Sequence, residues 1–251
     1  MAEEKGREGG PPKVAVALDF PDRDRALALV DHLEGGARLF KVGLELFTRA
    51  GSRVVADLRD RGLDVFLDLK LHDIPNTVSR AVAAGVGIGA ELLTVHATGG
   101  PAMIRAAREA AEGSGTRVLA VTVLTSLDSG EISTVRGAVT SPREEVARLA
   151  TLAWEAGAHG MVASAAEAAL LRSLLGPDVL IVTPGIRLAG DDVHDQARVT
   201  TPGDAVRAGA DVLVVGRSVT AASDPREALE RIRSEMEEAR SGEGSLQEAT
   251  P

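Results

Sequence analysis

Asp68, Lys70 and Asp73 place two carboxylates and an ammonium within six residues. Val65, Leu67 and Leu69 alternate with Asp64, Phe66, Asp68 and Lys70, the period of a β-strand. Asp68 and Lys70 therefore share one side of that strand. Asp73 follows where strand gives way to loop, and Pro75 suits the first turn of a helix, where its missing N–H would have had no partner anyway. Charges at the end of an apolar strand must be paired, or they shift towards neutrality. A Lys held between carboxylates keeps its proton, which makes Lys70 a poor Schiff-base nucleophile and a competent proton donor. Asp68 beside it could repel an anionic group on a substrate or stabilise positive charge. Lys41, on an adjacent strand, could extend the set into an alternating network of Lys41, Asp68, Lys70 and Asp73. The competing reading is a salt-bridge girdle that closes one end of a barrel. Girdles that only stabilise compare poorly with hydrophobic packing.

Other polar residues recur at strand ends: Asp19, Lys41, His96, Thr125, Ser126, Arg187 and Arg217. Asp19 could equally cap the next helix, Lys41 could be a solvated strand end, and His96 could be hydrogen-bonded in a barrel mouth. No two histidines have metal-ligand spacing, so a zinc site is not expected. Pro184-Gly185-Ile186-Arg187 and Gly216-Arg217-Ser218 each set backbone N–H groups beside a guanidinium, a combination suited to phosphate oxygens. Gly85-Val86-Gly87-Ile88-Gly89 is not a dinucleotide fingerprint. It follows a helix and precedes a strand, the reverse of the required order.

The elements that must position these groups alternate. Strands are expected over 13–19, 38–43, from 64 to about 70, 91–96, 117–123, 159–163, 178–183 and 211–217. Helices are expected over 22–33, 44–61 with a break at Gly51-Ser52, 77–86, 101–112, 141–155, 165–175, 201–208 and 224–239. Alternation implies a parallel sheet, and eight units imply a single (β/α)8 TIM barrel. An open doubly wound sheet is the competitor. In such a barrel the strands' carboxyl ends carry the active site, and the loops after strands seven and eight often hold phosphate. Residues 187–200 are long and polar for a connection, as a binding loop or lid would be.

The 251-residue chain suits one such barrel. It is 44% hydrophobic but only 2% aromatic, so Val, Leu, Ile and Ala must build the core. It has no cysteine, which excludes disulfides and thiolate chemistry and fits a reducing compartment. A net charge of −9 argues against non-specific nucleic-acid binding, so an anionic ligand needs a local cationic site. There is no apolar run long enough to span a membrane. Residues 1–12 read as a flexible head rather than a signal peptide, 13–240 as the barrel, and 241–251 as a disordered tail.

Asp68-Leu69-Lys70-Leu71-His72-Asp73-Ile74-Pro75-Asn76-Thr77 resembles the signature of the orotidine 5′-phosphate decarboxylase family. Ala17-Leu18-Asp19, Lys41-Val42-Gly43, Leu124-Thr125-Ser126, Thr183-Pro184-Gly185-Ile186-Arg187, Asp195-Gln196 and Val215-Gly216-Arg217 follow in family order. The resemblance implies a cytoplasmic enzyme that converts orotidine 5′-monophosphate to uridine 5′-monophosphate and carbon dioxide, the last step of pyrimidine nucleotide synthesis. It implies no metal and no organic cofactor. Lys70 would protonate C6, and Asp68 would face the departing carboxylate. Asp19 and Lys41 would bind ribose, and Thr125 and Ser126 would border the pyrimidine. Gln196 would reach base and phosphate, while Pro184, Arg187, Gly216 and Arg217 would form the phosphate end. It also implies a homodimer in which Asp73, Ile74 and Thr77 enter the partner's site. Two alternatives remain. One is a magnesium-dependent sugar-phosphate decarboxylase of the same barrel superfamily. The other is a non-catalytic phosphate-binding barrel.

Overall fold

The structure, a computed structural model, describes residues 11–188 and 200–242. Residues 1–10 of the expected head, residues 243–251 of the expected tail and Gln196 on the long loop lie outside the described residues.

Eight parallel strands close into a barrel in chain order: β1 (Lys13–Ala17), β2 (Leu39–Gly43), β3 (Asp64–Leu71), β4 (Leu92–His96), β5 (Arg117–Val121), β6 (Gly160–Val162), β7 (Leu180–Thr183) and β8 (Val212–Val215). Pairing of β1 with β8, from Lys13 against Val212 to Val16 against Val215, makes the closure and excludes the open sheet. The helices are α1 (Arg23–His32), α2 (Leu44–Ala50), α3 (Arg53–Asp60), α4 (Pro75–Gly87), α5 (Gly100–Ala110), α6 (Ser129–Arg136), α7 (Pro142–Glu155), α8 (Ala165–Leu175), α9 (Pro202–Arg207), α10 (Arg217–Thr220) and α11 (Pro225–Ser241).

The strands read as apolar runs because both their faces are covered. One face packs against the helices, as Val16, Phe40, Val65, Leu67 and Leu93 do. The other fills the barrel: Ala15, Ala17, Leu39, Phe66, Leu92, Leu119, Val182, Val212 and Val214 form a separate apolar cluster. Successive strand residues point to opposite faces. Lys41, Asp68 and Thr94 therefore stand two residues beyond Leu39, Phe66 and Leu92, on the inward face at the carboxyl end.

Local chemistry sets the helix starts. The Asp22 carboxylate accepts the Arg25 N–H at 2.8 Å, and Pro75 sits at the first turn of α4. Ser141 and Glu144 form a reciprocal capping box at α7. The expected break at Gly51-Ser52 separates α2 from α3, with Gly51 at φ 63°.

The structure adds elements to those read from the sequence. α6 occupies a stretch for which no element was expected, and α10 begins at Arg217, which was expected to end a strand. Strands β1, β5 and β8 also stop short of the expected ends. The chain leaves the ladder before Asp19, Val123 and Arg217, and so frees them to line the mouth.

Candidate active site

A cavity of ≈ 490 Å³ opens at the carboxyl end of the barrel, within the roughly 300–1,000 Å³ typical of small-molecule sites. Its floor is the top of the inner apolar layer, Ala17, Phe66, Val162 and Val214, with the buried Val121 also lining the cavity. Lys41, Lys70, Arg187 and Arg217 line it against two carboxylates, Asp19 and Asp68. The cleft is thus locally cationic in a chain of net charge −9, which is what an anionic ligand requires.

The charged residues form a chain of contacts along one wall. Lys70 Nζ donates to both oxygens of Asp68 at 2.8 Å. Lys41 Nζ lies 3.7 Å from Asp68 and 3.1 Å from Asp19. Gly43 makes room for this pairing: a Cβ there would lie 3.1 Å from Lys41 Nζ and 3.2 Å from Asp19 Oδ1. Asp68 and Lys41 are buried, whereas Asp19 is exposed. Burial alone would raise the Asp68 pKa. The Lys41 and Lys70 charges outweigh it, with hydrogen bonds from Lys70 and Thr94 adding to them, and hold the carboxyl below its ordinary value. Asp68 therefore remains a fixed negative charge at neutral pH.

Backbone geometry aims Lys70. It has φ 49°, the one positive φ outside glycine among the described residues, and such conformations cluster at functional sites. The β3–β4 register shifts between Leu67 and Leu71. At that irregularity the Lys70 N–H donates to Thr94 Oγ1 at 2.9 Å.

The other end of the cleft is built from the last two strands. After β7 the chain passes through Pro184 and Gly185 to Arg187, which is buried and donates from a guanidinium nitrogen to the Ile186 carbonyl at 2.9 Å. A parallel bridge between Ile186 and Thr200 ties the two ends of the long loop together. After β8, Gly216 leads directly into α10, whose first residue is Arg217. A short extra helix after the eighth strand is a frequent phosphate-binding device in this architecture.

Of the residues singled out in the sequence, Asp19, Lys41, Asp68, Lys70, Thr125, Pro184, Arg187, Gly216 and Arg217 line this one cavity. Ser126 is exposed and outside the lining. Asp73 does not join the network within the chain. Its carboxylate accepts the Ile74 N–H at 2.6 Å, and the charged row runs Asp19, Lys41, Asp68, Lys70 instead. Asp73, Ile74 and Thr77 are all exposed at the start of α4. His96 is half-buried, 5.5 Å from the His72 ring. Burial, His72 and Lys70 together hold its pKa below the usual histidine value. Among the described residues no three His, Asp or Glu side chains converge as a metal-binding group, and no helix is long and apolar enough to cross a membrane.

Sequence reasoning passed over Thr94, which is fully buried and bonded to both Asp68 and Lys70. It also passed over the apolar floor. A hydroxyl at an inward position of the otherwise apolar run Leu92-Leu93-Thr94-Val95 was the available signal.

Comparison with known proteins accords with this geometry. Residues 12–232 match the family model described as Orotidine 5'-phosphate decarboxylase / HUMPS family. The orotidine 5'-phosphate decarboxylase of Nitrosomonas europaea is 48% identical over 225 residues, covering 90% of this chain and 97% of that protein. The enzyme of that name from Photobacterium profundum is 47% identical over 228 residues, covering 90% and 98%. The crystal structure of orotidine 5'-phosphate decarboxylase from Lactobacillus acidophilus superposes with a TM-score of 0.80 at 37% identity, covering 90% of this chain and 99% of that one. The chain belongs to the orotidine 5'-phosphate decarboxylase / HUMPS family.

Proposed function

We propose that this chain decarboxylates orotidine 5′-monophosphate to uridine 5′-monophosphate, with Lys70 as the proton donor to C6. The relatives that match almost end to end carry that activity in their names. The observation that carries the mechanistic reading is the Asp68–Lys70 pair, fixed at 2.8 Å on the wall of a cationic cleft.

In the reaction the bond from C6 to the carboxylate breaks, its electron pair stays on C6, and carbon dioxide leaves. That pair lies in the ring plane and has no delocalising sink. Stabilisation must therefore be electrostatic and in place beforehand. The Lys70 ammonium supplies the charge and then the proton, leaving an amine that solvent reprotonates. Asp68, held ionised, faces the substrate carboxylate; their repulsion is relieved as that group departs neutral. Asp19 and Lys41 take ribose hydroxyls, and Thr125 borders the pyrimidine, with Ser126 beside it on the same loop. The phosphate end comprises Pro184, Arg187, Gly216 and Arg217. Binding energy spent on the phosphate, remote from the reacting carbon, can hold the base against the charged row.

The same proposal includes a homodimer. Ile74 is a large apolar side chain left 65% exposed beside the cleft-forming strand, with Asp73 and Thr77 exposed near it. A second copy would cover this corner and bring those three residues to its own site.

The test is the ultraviolet change of orotidine 5′-monophosphate incubated with the chain in excess chelator. Conversion to uridine 5′-monophosphate is expected. No conversion under chelation, with activity on a sugar phosphate when magnesium is restored, would overturn the proposal in favour of a metal-dependent relative.

A further inference from the structure

The Thr94 hydroxyl sits where two requirements of the site meet. It accepts the Lys70 N–H at 2.9 Å and donates to Asp68 Oδ1 at 2.9 Å. A threonine hydroxyl has one proton to give and lone pairs to receive with, so both contacts are satisfied at once. Thr94 is fully buried, and its β-branched side chain has restricted rotamers in a strand. It is therefore a fixed point on β4 against which β3 is set.

That fixed point lies at an irregular place. The β3–β4 register shifts between Leu67 and Leu71, and Lys70 adopts φ 49° within the shift. A left-handed backbone at a lysine persists only when its surroundings over-determine it. The Thr94 contact to the Lys70 N–H is one such restraint, since it binds the strained residue's own backbone. The second contact fixes an oxygen of Asp68, the carboxylate to which Lys70 Nζ donates. One hydroxyl thus locates both the base of the Lys70 side chain and the partner of its tip.

We propose that Thr94 is a positioning residue, whose hydroxyl holds the Lys70 backbone and the Asp68 carboxylate in register so that the Lys70 ammonium points at the reacting carbon. This rests on the decarboxylase reading above and deepens it. Thr94 need not touch substrate: it is absent from the residues lining the cavity.

Thr94→Val keeps the shape and the β-branch but removes both hydrogen bonds, and Thr94→Ser keeps the hydroxyl. For Thr94→Val, kcat on orotidine 5′-monophosphate should fall roughly 100-fold, the scale of loss that follows about 1 Å of misplacement. KM should stay within about threefold, because the phosphate end is untouched. The acid limb of kcat should move to higher pH, because the ionised Asp68 loses a donor. Thr94→Ser should recover most of kcat and the original pH profile. Near-normal kcat in Thr94→Val, or equal impairment of Thr94→Ser, overturns the proposal. Site-resolved amide exchange on the unaltered chain gives a check that needs no variant: the Lys70 N–H should be strongly protected, and fast exchange there overturns the proposal. An unaltered chain inert towards orotidine 5′-monophosphate overturns the decarboxylase reading instead, while the exchange result still decides the Thr94 contact.

Discussion

At the scale of single residues, the site depends on charges held close together in a wall that is partly buried. For Asp68 burial is the largest single influence and opposes its charge, but two ammonium groups compensate it. Its pKa is depressed, so the stabilisation it contributes is present above the ordinary carboxylate value and is lost only as pH falls through the lower folded one. The expected outcome is a kcat that stays flat from pH 7 down to about pH 5, near the top of the ordinary carboxylate range. An acid limb near pH 6 that disappears in Asp68→Asn would contradict the assignment. The opposite end tests separately. Arg217→Ala should weaken orotidine 5′-monophosphate binding by about 10- to 100-fold, the worth of a charged hydrogen bond, while leaving turnover of phosphate-free orotidine nearly unchanged. Equal losses with both substrates would remove Arg217 from the phosphate site. The Asp68–Lys70 pairing was legible because side chains two apart on a strand share a face. Thr94 was not, because its partners lie 24 and 26 residues away in the chain, and only the barrel's register brings them together.

At the scale of elements, the barrel was readable because strands covered on both faces leave apolar runs, and the helices between them carry their own start signals. The misses have physical causes. Helix α6 buries only Ile132, so it lacks an apolar stripe, although the Asp128–Glu131 capping box announces its start. The ends of β1 and β5 were placed too late because the apolar residues Leu18 and Val123 continue past the strand. One tight point in the barrel makes a prediction. A Cβ on Gly160 of β6 would lie 2.2 Å from the Leu180 carbonyl oxygen and 2.7 Å from Leu180 Cβ. The Leu180 backbone is held in the adjacent strand and cannot yield. Gly160→Ala should therefore destabilise the fold by at least about 2 kcal/mol, a fall in Tm of about 4–8 °C. KM should be unchanged in the folded fraction, because Gly160 lies below the cavity floor. A Tm equal to that of the unaltered chain would show the strand spacing to be wrong.

At the scale of the whole molecule, one end of the barrel carries the charged row, the guanidinium groups of Arg187 and Arg217 and the exposed corner of Asp73, Ile74 and Thr77. If that corner completes a second copy's site, two inactive variants must complement. Lys70→Ala and Asp73→Ala, unfolded together and refolded as a mixture, should recover about one quarter of normal activity, since half of randomly paired symmetric dimers are hybrids with one intact site. Activity no greater than that of the separate variants would exclude a shared site. The central claim is that the Lys70 ammonium meets the electron pair left at C6. Its most direct measurement is kcat for orotidine 5′-monophosphate in Lys70→Ala beside calorimetric binding of uridine 5′-monophosphate. The account predicts that kcat falls by at least about 10³-fold, with product still bound through the phosphate end. Turnover within about tenfold of the unaltered chain would contradict it.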